Sequence, residues 1–459
     1  MSCLALIQSA CSRTNTSRRN ITSQIAHEPQ KPQLARVIMI KPVFYFIISL
    51  VLISCATQPQ NPTEKDNGNG INQETYDLTS KPRGVLSQAS IERQWNAYKN
   101  SSECLMQSPS SQGEAIYIRD ITDTNFLEKG LSRVFIKSEK SNACSGGTLY
   151  TAPAPIVSLN LNMAYGERQS SVEYANEFFQ SQSSFVRYMP ADVGERQRLK
   201  NAILEWARNK ALSSGIQVTW GDQPVDWQVM TLILSIVTAT SEITDDLNPE
   251  ETVIVGKWLR SLVSKVGQSK WGSGRSDNKE YLKSYVLLLW ALMVDDQKLT
   301  QKIIDIYKNA IHEIRPDGSF PNDSQRGGMG IDYNSKSASS LVLIASLLKQ
   351  KKDIDLFSYS VDGRSIHNAV EHVVESIRDP SATNKKYAIR CPDSGDRWGS
   401  IERPSIHYIS YSSGFLLVYA SLYPEKPASI FIEKRFGDHR RFLSVSEIGG
   451  GAPLCQFKF

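Results

Sequence analysis

The chain has 459 residues, of which 40% are hydrophobic and 22% charged. That is ordinary globular composition, sufficient for one large domain or two smaller ones. A formal net charge of +5 suits an anionic ligand. With no zinc-finger spacing, basic-aromatic stripe or long Lys/Arg run, it makes no case for nucleic acid.

Residues 1–38 are polar and basic and read as an N-terminal extension upstream of an internal Met39. Residues 39–55 read as an export signal. Lys41 precedes the apolar run 43–53, which ends in Ser54-Cys55 and is short for a membrane span. Leu52-Ile53-Ser54-Cys55 resembles a bacterial lipobox, which implies lipidation of Cys55. Ala56 stands where an aspartate would favour inner-membrane retention, so the expected place is the periplasm, anchored to the outer membrane. Residues 56–85, rich in Gln, Asn, Pro, Thr and Gly, read as a flexible tether. A folded domain is expected over 86–459. Export makes Cys104, Cys144, Cys391 and Cys455 disulfide candidates. Pairing of sequence neighbours, Cys104 with Cys144 and Cys391 with Cys455, is one of three connectivities.

Within the domain the apolar spacing is helical. Leu199, Ala202, Ile203, Trp206 and Ala207 share one face. Residues 227–243, 281–294, 335–348 and 408–423 are apolar nearly all round, as inner helices are. Residues 252–266, 299–314 and 365–377 are amphipathic. Short strands are expected at 156–161 and within 430–459. An all-α fold follows. The alternation of apolar and amphipathic helices fits an α/α toroid, an incomplete double ring of helices, and also a generic helical bundle.

Two helix starts carry chemistry. Pro316-Asp317-Gly318 is turn chemistry. Gly327, Gly328 and Gly330 then permit close backbone approach before a buried helix. Arg326 in this stretch can hold a carboxylate bidentately, and Tyr333, seven residues on, can move a proton. At the second start Asn278 and Lys279 open the 281–294 helix, where a lysine opposes the helix dipole. The blander roles are an Arg326 paired with Asp323 or Asp332, a core Tyr333, and a solvated Lys279 beside Asp277 or Glu280. The six histidines have no metal-like spacing, and neither metal nor cofactor is expected.

From about 275 to 380 the chain resembles the alginate lyase superfamily, whose members form α/α toroids. The family pattern is Asn-Asn-His-x-Tyr-Trp, then Asp-Gly-x-Phe-x-x-Glu-x-x-Arg, then Tyr-His. This chain reads Asp277-Asn278-Lys279-Glu280-Tyr281-Leu282, then Asp317-Gly318-Ser319-Phe320 with Asp323 and Arg326, then Tyr333-Asn334. The resemblance implies that Asn278 and Arg326 neutralise a substrate carboxylate and that Tyr333 protonates the leaving oxygen. Lys279 replaces the family histidine and Asn334 the histidine after the tyrosine. A lysine can neutralise the carboxylate or, desolvated beside Arg326, act as base.

The leading expectation is therefore a lipid-anchored polysaccharide lyase. It would cleave alginate or a related uronan by β-elimination, with Tyr333 and Lys279 catalytic. Arg397, Trp398, His407 and Tyr408 are candidates for a subsite. The partners are an anionic polysaccharide and, through the lipid, a membrane. Two other classes stay open: a non-catalytic glycan-binding lipoprotein, and an α/α-barrel glycoside hydrolase. The hydrolase needs two carboxylates across a cleft, drawn from Asp226, Asp317, Asp323 and Asp332.

Overall fold

The computed structural model describes residues 76–78, 126–135, 150–160, 169–189, 192–213, 216–217, 225–269, 277–324, 329–387, 414–436, 448–450 and 456–457. The main helices are α1 (Gln169–Tyr188), α2 (Val193–Arg208), α3 (Trp227–Ile243), α4 (Pro249–Gln268), α5 (Asn278–Val294) and α6 (Gln297–Glu313). They continue as α7 (Gly330–Lys352), α8 (Ile366–Arg378), α9 (Pro380–Tyr387), α10 (Gly414–Leu422) and α11 (Pro427–Phe436). Two two-stranded ribbons and the short helical turns Phe126–Lys129, Thr244–Asp246 and Pro321–Ser324 complete the described elements. β1 (Leu159–Asn160) runs parallel to β2 (Ile216–Gln217), and β3 (Ser360–Val361) runs antiparallel to β4 (Arg364–Ser365).

Helix starts follow local chemistry. The side chains of Asp192, Asp226 and Asp296 accept from the backbone N–H groups of Glu195, Val229 and Leu299 at 2.9–3.0 Å. Asn248 and Glu251 form a reciprocal capping box with Pro249 at the first helical position.

The helices form two layers. The row α1, α3, α5, α7, α10 packs neighbour to neighbour, and α2, α4, α6, α8 and α11 pack outside it. Every residue of α5 except Lys279 is buried, and α7 is buried from Gly330 to Leu348 apart from Tyr333 and Lys336. The outer helices each keep a wet face. The core is thus the inner row itself, as the alternation of apolar and amphipathic segments predicts.

The inner helices run parallel. At one end Arg187 of α1 meets Glu242 of α3. Ser132 N–H and Val134 N–H bridge Met293 O of α5 and Ser241 Oγ of α3 at 2.9 and 2.8 Å. Lys352 of α7 pairs with Asp295 after α5 at 2.6 Å, and Lys349 lies 5.6 Å from the ring of Tyr423, just past α10. These are all C-terminal ends. The N-terminal ends of α3, α5 and α7 consequently share the opposite mouth.

Three local differences from the sequence reading are physical. First, α1 lies where no helix was expected. It is rich in Ser and Gln, yet Gln180, Ser181, Gln182, Ser183 and Ser184 are all buried. Gln180 Nε2 donates to Ser235 Oγ at 3.2 Å, and that hydroxyl donates to Asn176 Oδ1 at 2.6 Å. A polar seam thus lies beside the buried apolar residues Val172, Ala175, Phe178, Phe179 and Val186. Second, residues 427–436 are helical although strands were expected in 430–459. Pro427 opens the helix, Ala428 N–H donates to Glu371 Oε1 at 3.1 Å, and Ala428 and Ile432, one turn apart, are buried. This packing overrides the β preference of Ile430-Phe431-Ile432. Third, residues 76–78, expected at the end of the tether, lie against α6. Asp77 N–H donates to Gln301 Oε1 at 3.0 Å, and Lys308 Nζ donates to Asp77 O at 3.4 Å.

Candidate active site at the shared helix mouth

Asp277 caps α5. Its Oδ1 accepts from the N–H groups of Lys279 and Glu280 at 3.1 and 3.3 Å. The helix therefore begins three residues earlier than the apolar run implies, with Asn278 and Lys279 in its first turn. Asn278 is buried, and its N–H donates to Asp323 Oδ1 at 3.4 Å. Lys279 Nζ lies 3.9 Å from Asp277 Oδ2, one of the pairings foreseen for it. One turn on, Glu280 and Lys283 form an ion pair of 2.9 Å inside the core.

The Pro-Asp-Gly turn hands the chain from α6 to α7. Arg364 fixes its start by donating to the carbonyls of His312 and Ile314, the latter at 3.2 Å; this is favourable chemistry at a helix C-terminus. Gly318 N–H bonds Arg315 O at 2.8 Å, Arg315 N–H bonds Ser319 O at 3.0 Å, and Asp317 Oδ1 accepts from Ser319 N–H at 2.9 Å. Glycine is required at 318: φ is +84° and a Cβ would lie 1.9 Å from Asn368 O. Phe320 then packs on Tyr281 with ring centroids 5.7 Å apart, and a helical turn, Pro321–Ser324, delivers Asp323 to the mouth of α5.

Asp323 joins the two helix starts. Ser337 of α7 donates to its Oδ2 and Asn278 of α5 to its Oδ1. Burial pushes its carboxyl well above the usual carboxylate range, with the negative charge of Asp277 adding to the effect; the Ser337 and Asn278 hydrogen bonds and the Lys279 charge oppose it. Burial also raises the Glu280 carboxyl, opposed by Lys283.

Asn334 clasps the turn to α7. Its Oδ1 accepts from Phe320 N–H at 2.7 Å, and its Nδ2 donates to Gly330 O at 2.7 Å and Ser324 Oγ at 3.2 Å. The residue in place of the second family histidine is thus a buried brace. Tyr333, beside it, is partly exposed in the first turn of α7. Met329 at the N-cap of that helix makes no side-chain capping bond.

Two residues that the sequence reading did not select join Tyr333. Lys336 Nζ lies 5.7 Å from the Tyr333 ring centroid, 4.9 Å from that of Trp227 at the start of α3, and 3.1 Å from Asp332 Oδ2. The only signal for Lys336 was its spacing, three residues after Tyr333 and hence on the same helix face. Trp227 fell within the 227–243 segment, read as an inner helix.

The structure thus brings Asn278, Lys279 and Tyr333 to adjoining helix mouths. Arg326, Arg397, Trp398, His407, Tyr408, Cys55, Cys104, Cys144, Cys391 and Cys455 lie outside the described residues. Of the carboxylates considered for hydrolysis, Asp226 caps α3, Asp317 closes its turn, Asp323 bridges α5 and α7, and Asp332 pairs with Lys336. Each is engaged in holding the structure.

Comparisons with known proteins converge on one group. The model of a family described as Alginate lyase matches residues 203–383. A polysaccharide lyase from Stenotrophomonas maltophilia is 24% identical over 179 residues, covering 35% of this chain and 53% of the relative. The chain thus spans about half the length of the curated relative it matches. Among solved structures, alginate lyase A1-III from Sphingomonas species A1 aligns with a TM-score of 0.50 at 18% identity, over 73% of this chain and 93% of that one. A variant of alginate lyase A1-III complexed with a tetrasaccharide aligns with a TM-score of 0.53, also at 18% identity, over 73% and 92%. At such identity the structural likeness speaks for the fold, the α/α toroid.

Proposed function

We propose that this chain, a member of the alginate lyase superfamily by its 203–383 region and its toroid fold, cleaves a uronate-containing polysaccharide, alginate or a related uronan, by β-elimination. The observation that carries the reading is the meeting of α5 and α7 across Asp323, which sets Asn278 and Lys279 at one helix mouth and Tyr333 at the next.

Elimination needs the C5 hydrogen to be acidic, and it is so only when the adjacent carboxylate is neutralised. Asn278, Arg326 and Lys279 are assigned that task. Lys279 has Asp277 as an ion-pair partner at 3.9 Å. It therefore serves as a cation facing the substrate carboxylate rather than as the base. Tyr333 relays the proton: entering the step as the phenolate, its oxygen takes the proton from C5, the electron pair left behind forms the C4–C5 double bond, the C4–O bond breaks, and the departing oxygen takes that proton from Tyr333, which regenerates the phenolate.

The test mixes the purified chain with alginate, polyglucuronate and other uronans and follows the ultraviolet absorbance of the unsaturated product. Growth of absorbance that falls by about 10²- to 10⁴-fold in Tyr333→Phe supports the lyase. Binding without absorbance indicates a glycan-binding module, and new reducing ends without absorbance indicate hydrolysis. Lys279→Arg retaining most of the rate, while Lys279→Met loses it, supports the cation role; equal loss in both assigns Lys279 as base. We also propose anchorage to the outer membrane through a lipid on Cys55. Cys55→Ala should move the protein from the membrane fraction to the soluble fraction, and an unchanged distribution would refute the anchor.

A further inference from the structure

The proposed elimination needs Asn278 and Tyr333 at a fixed separation, although they stand on different helices. One polar bridge spans the gap. Ser337 lies one turn past Tyr333 on the same face of α7, and its hydroxyl donates to Asp323 Oδ2. Asp323 Oδ1 accepts from the N–H of Asn278, the first residue of α5, at 3.4 Å. Ser337 is fully buried, and Asp323 and Asn278 are each 3% exposed, so little water competes for these groups.

Asp323 is itself held in place. Ser324 Oγ, next to it, donates to Phe320 O at 2.8 Å and accepts from Asn334 Nδ2 at 3.2 Å, and Asn334 directly follows Tyr333. The direction of the Ser337 hydroxyl is the telling detail. Other buried serines of α5 and α7 turn back on their own helix. Ser284 donates to Glu280 O at 2.8 Å and Ser346 to Val342 O at 2.7 Å, the usual local bond of a helical serine. Ser337 instead reaches across to the turn that carries Asp323. Burial, and secondarily Asp277, favour the neutral form of Asp323. The bridge therefore adds less negative charge at a mouth where the proposed substrate brings its own.

Resting on the lyase assignment, we infer that Ser337 and Asp323 are positioning residues for the elimination: their hydrogen bond, with that from Asn278 to Asp323, sets the distance between the group that relays the proton and the group that receives the carboxylate. Neither touches the substrate in this assignment. Ser337 acts on Tyr333 through the first turns of α7, and Asp323 acts on Asn278 through the start of α5. Rate is more sensitive than binding to a small displacement of reacting groups, so loosening the bridge costs kcat first.

The test measures kcat and KM per folded molecule, on the uronan that yields unsaturated product fastest, for the wild type, Ser337→Ala, Asp323→Ala, their double variant and Asp323→Asn. In Ser337→Ala and Asp323→Ala kcat should fall about 10- to 100-fold, with KM held within about threefold. Asp323→Asn, whose amide can accept from Asn278 N–H and donate to Ser337 Oγ, should restore most of the rate. The double variant should lose no more than Asp323→Ala alone, since members of one bridge are not additive. Wild-type kcat in Ser337→Ala, or a raised KM at unchanged kcat, overturns the inference. A lowered melting temperature with kcat intact marks a merely structural bond and overturns it too, as do losses that add in the double variant. Equal loss in Asp323→Asn and Asp323→Ala would make the carboxyl a participant in the chemistry and refute its positioning role. If Asp323→Ala does not fold, Ser337→Ala, which removes a single hydroxyl, decides alone. A wild type that forms no unsaturated product on any uronan refutes the lyase reading and this inference with it; an active wild type beside an equally active Ser337→Ala refutes the inference alone.

Discussion

The two ends of the inner helical row treat charge in opposite ways. At the C-terminal end Glu242 is enclosed by cations. Arg187 Nε donates to one carboxylate oxygen at 2.6 Å and Arg133 Nη1 to the other at 3.2 Å. The Glu242 carbonyl accepts from Arg133 and Arg196 at 2.7 and 3.1 Å. Arg187 also lies over the Phe135 ring at 4.3 Å, and Lys351 Nζ donates to Arg133 O at 3.0 Å. Basic groups here answer the negative ends of parallel helices, and the segment 131–135 covers them. At the N-terminal mouth like charges are instead kept together: Asp277 lies near the buried Asp323, and Lys279 and Lys336 face outward over their carboxylates. One end resolves its electrostatics internally. The other sets Lys279 at its rim, which suits the polyanionic substrate of the proposed function.

The largest effect should come from breaking the sealed end. Glu242→Gln removes the carboxylate that the nearly fully buried Arg187 shares with Arg133, while Arg133 keeps Asp245 at 3.2 Å. The expected loss is about 3–5 kcal/mol of unfolding free energy, read from urea denaturation, with kcat/KM per folded molecule unchanged. A variant of wild-type stability would show that this end is not the brace described. Next in size is Asn334→Ala, which strips the clasp between the Asp-Gly turn and α7. Buried donors and acceptors at Phe320, Gly330 and Ser324 lose their partner, at about 1–3 kcal/mol. Because the clasp positions Tyr333, kcat should fall as well. A loss of stability with full kcat would separate the mouth's scaffold from its chemistry and weaken the contrast between the ends.

How far the sequence carried depended on whether a residue's role was local. The apolar all-round segments that became α3, α5 and α7 were legible because burial on every side leaves no polar face to confuse the period. The placement of Asn278 and Tyr333 at helix starts was legible through motif spacing and the turn chemistry around Gly318. By contrast α1 was illegible. Beside the buried Val172, Ala175, Phe178, Phe179 and Val186 it buries Gln180 and its serine neighbours, and Gln180, Asn176 and Ser235 satisfy one another across two helices, a match that exists only once the chain has folded. Lys336 was missed for the same reason. A lysine on a helix reads as a solvated tip until Trp227, more than a hundred residues earlier, is seen beside it. The role of Asn334 was visible as a departure from the family pattern but not as a brace, since its partners span the turn.

The smallest effect concerns pH, and it tests whether the mouth stores unfavourable charge. Burial, and secondarily Asp277, hold the Asp323 carboxyl well above its ordinary range. The native state therefore keeps a proton that the unfolded chain gives up. For an acid shifted this way the associated stability is fully present below the unfolded pKa, an ordinary carboxylate value of about 4. It is lost as pH rises through the higher native value. Asp323→Asn cannot ionise, yet its amide can still accept from Asn278 N–H through oxygen and meet Ser337 through nitrogen. Urea midpoints recorded from pH 4 upward should decline with pH more steeply in the wild type than in Asp323→Asn, the two curves diverging as pH rises. Parallel curves for the wild type and Asp323→Asn would mean that Asp323 is ionised throughout. In that case the mouth, like the far end, would have neutralised its own charge, and the asymmetry between the two ends would not be electrostatic.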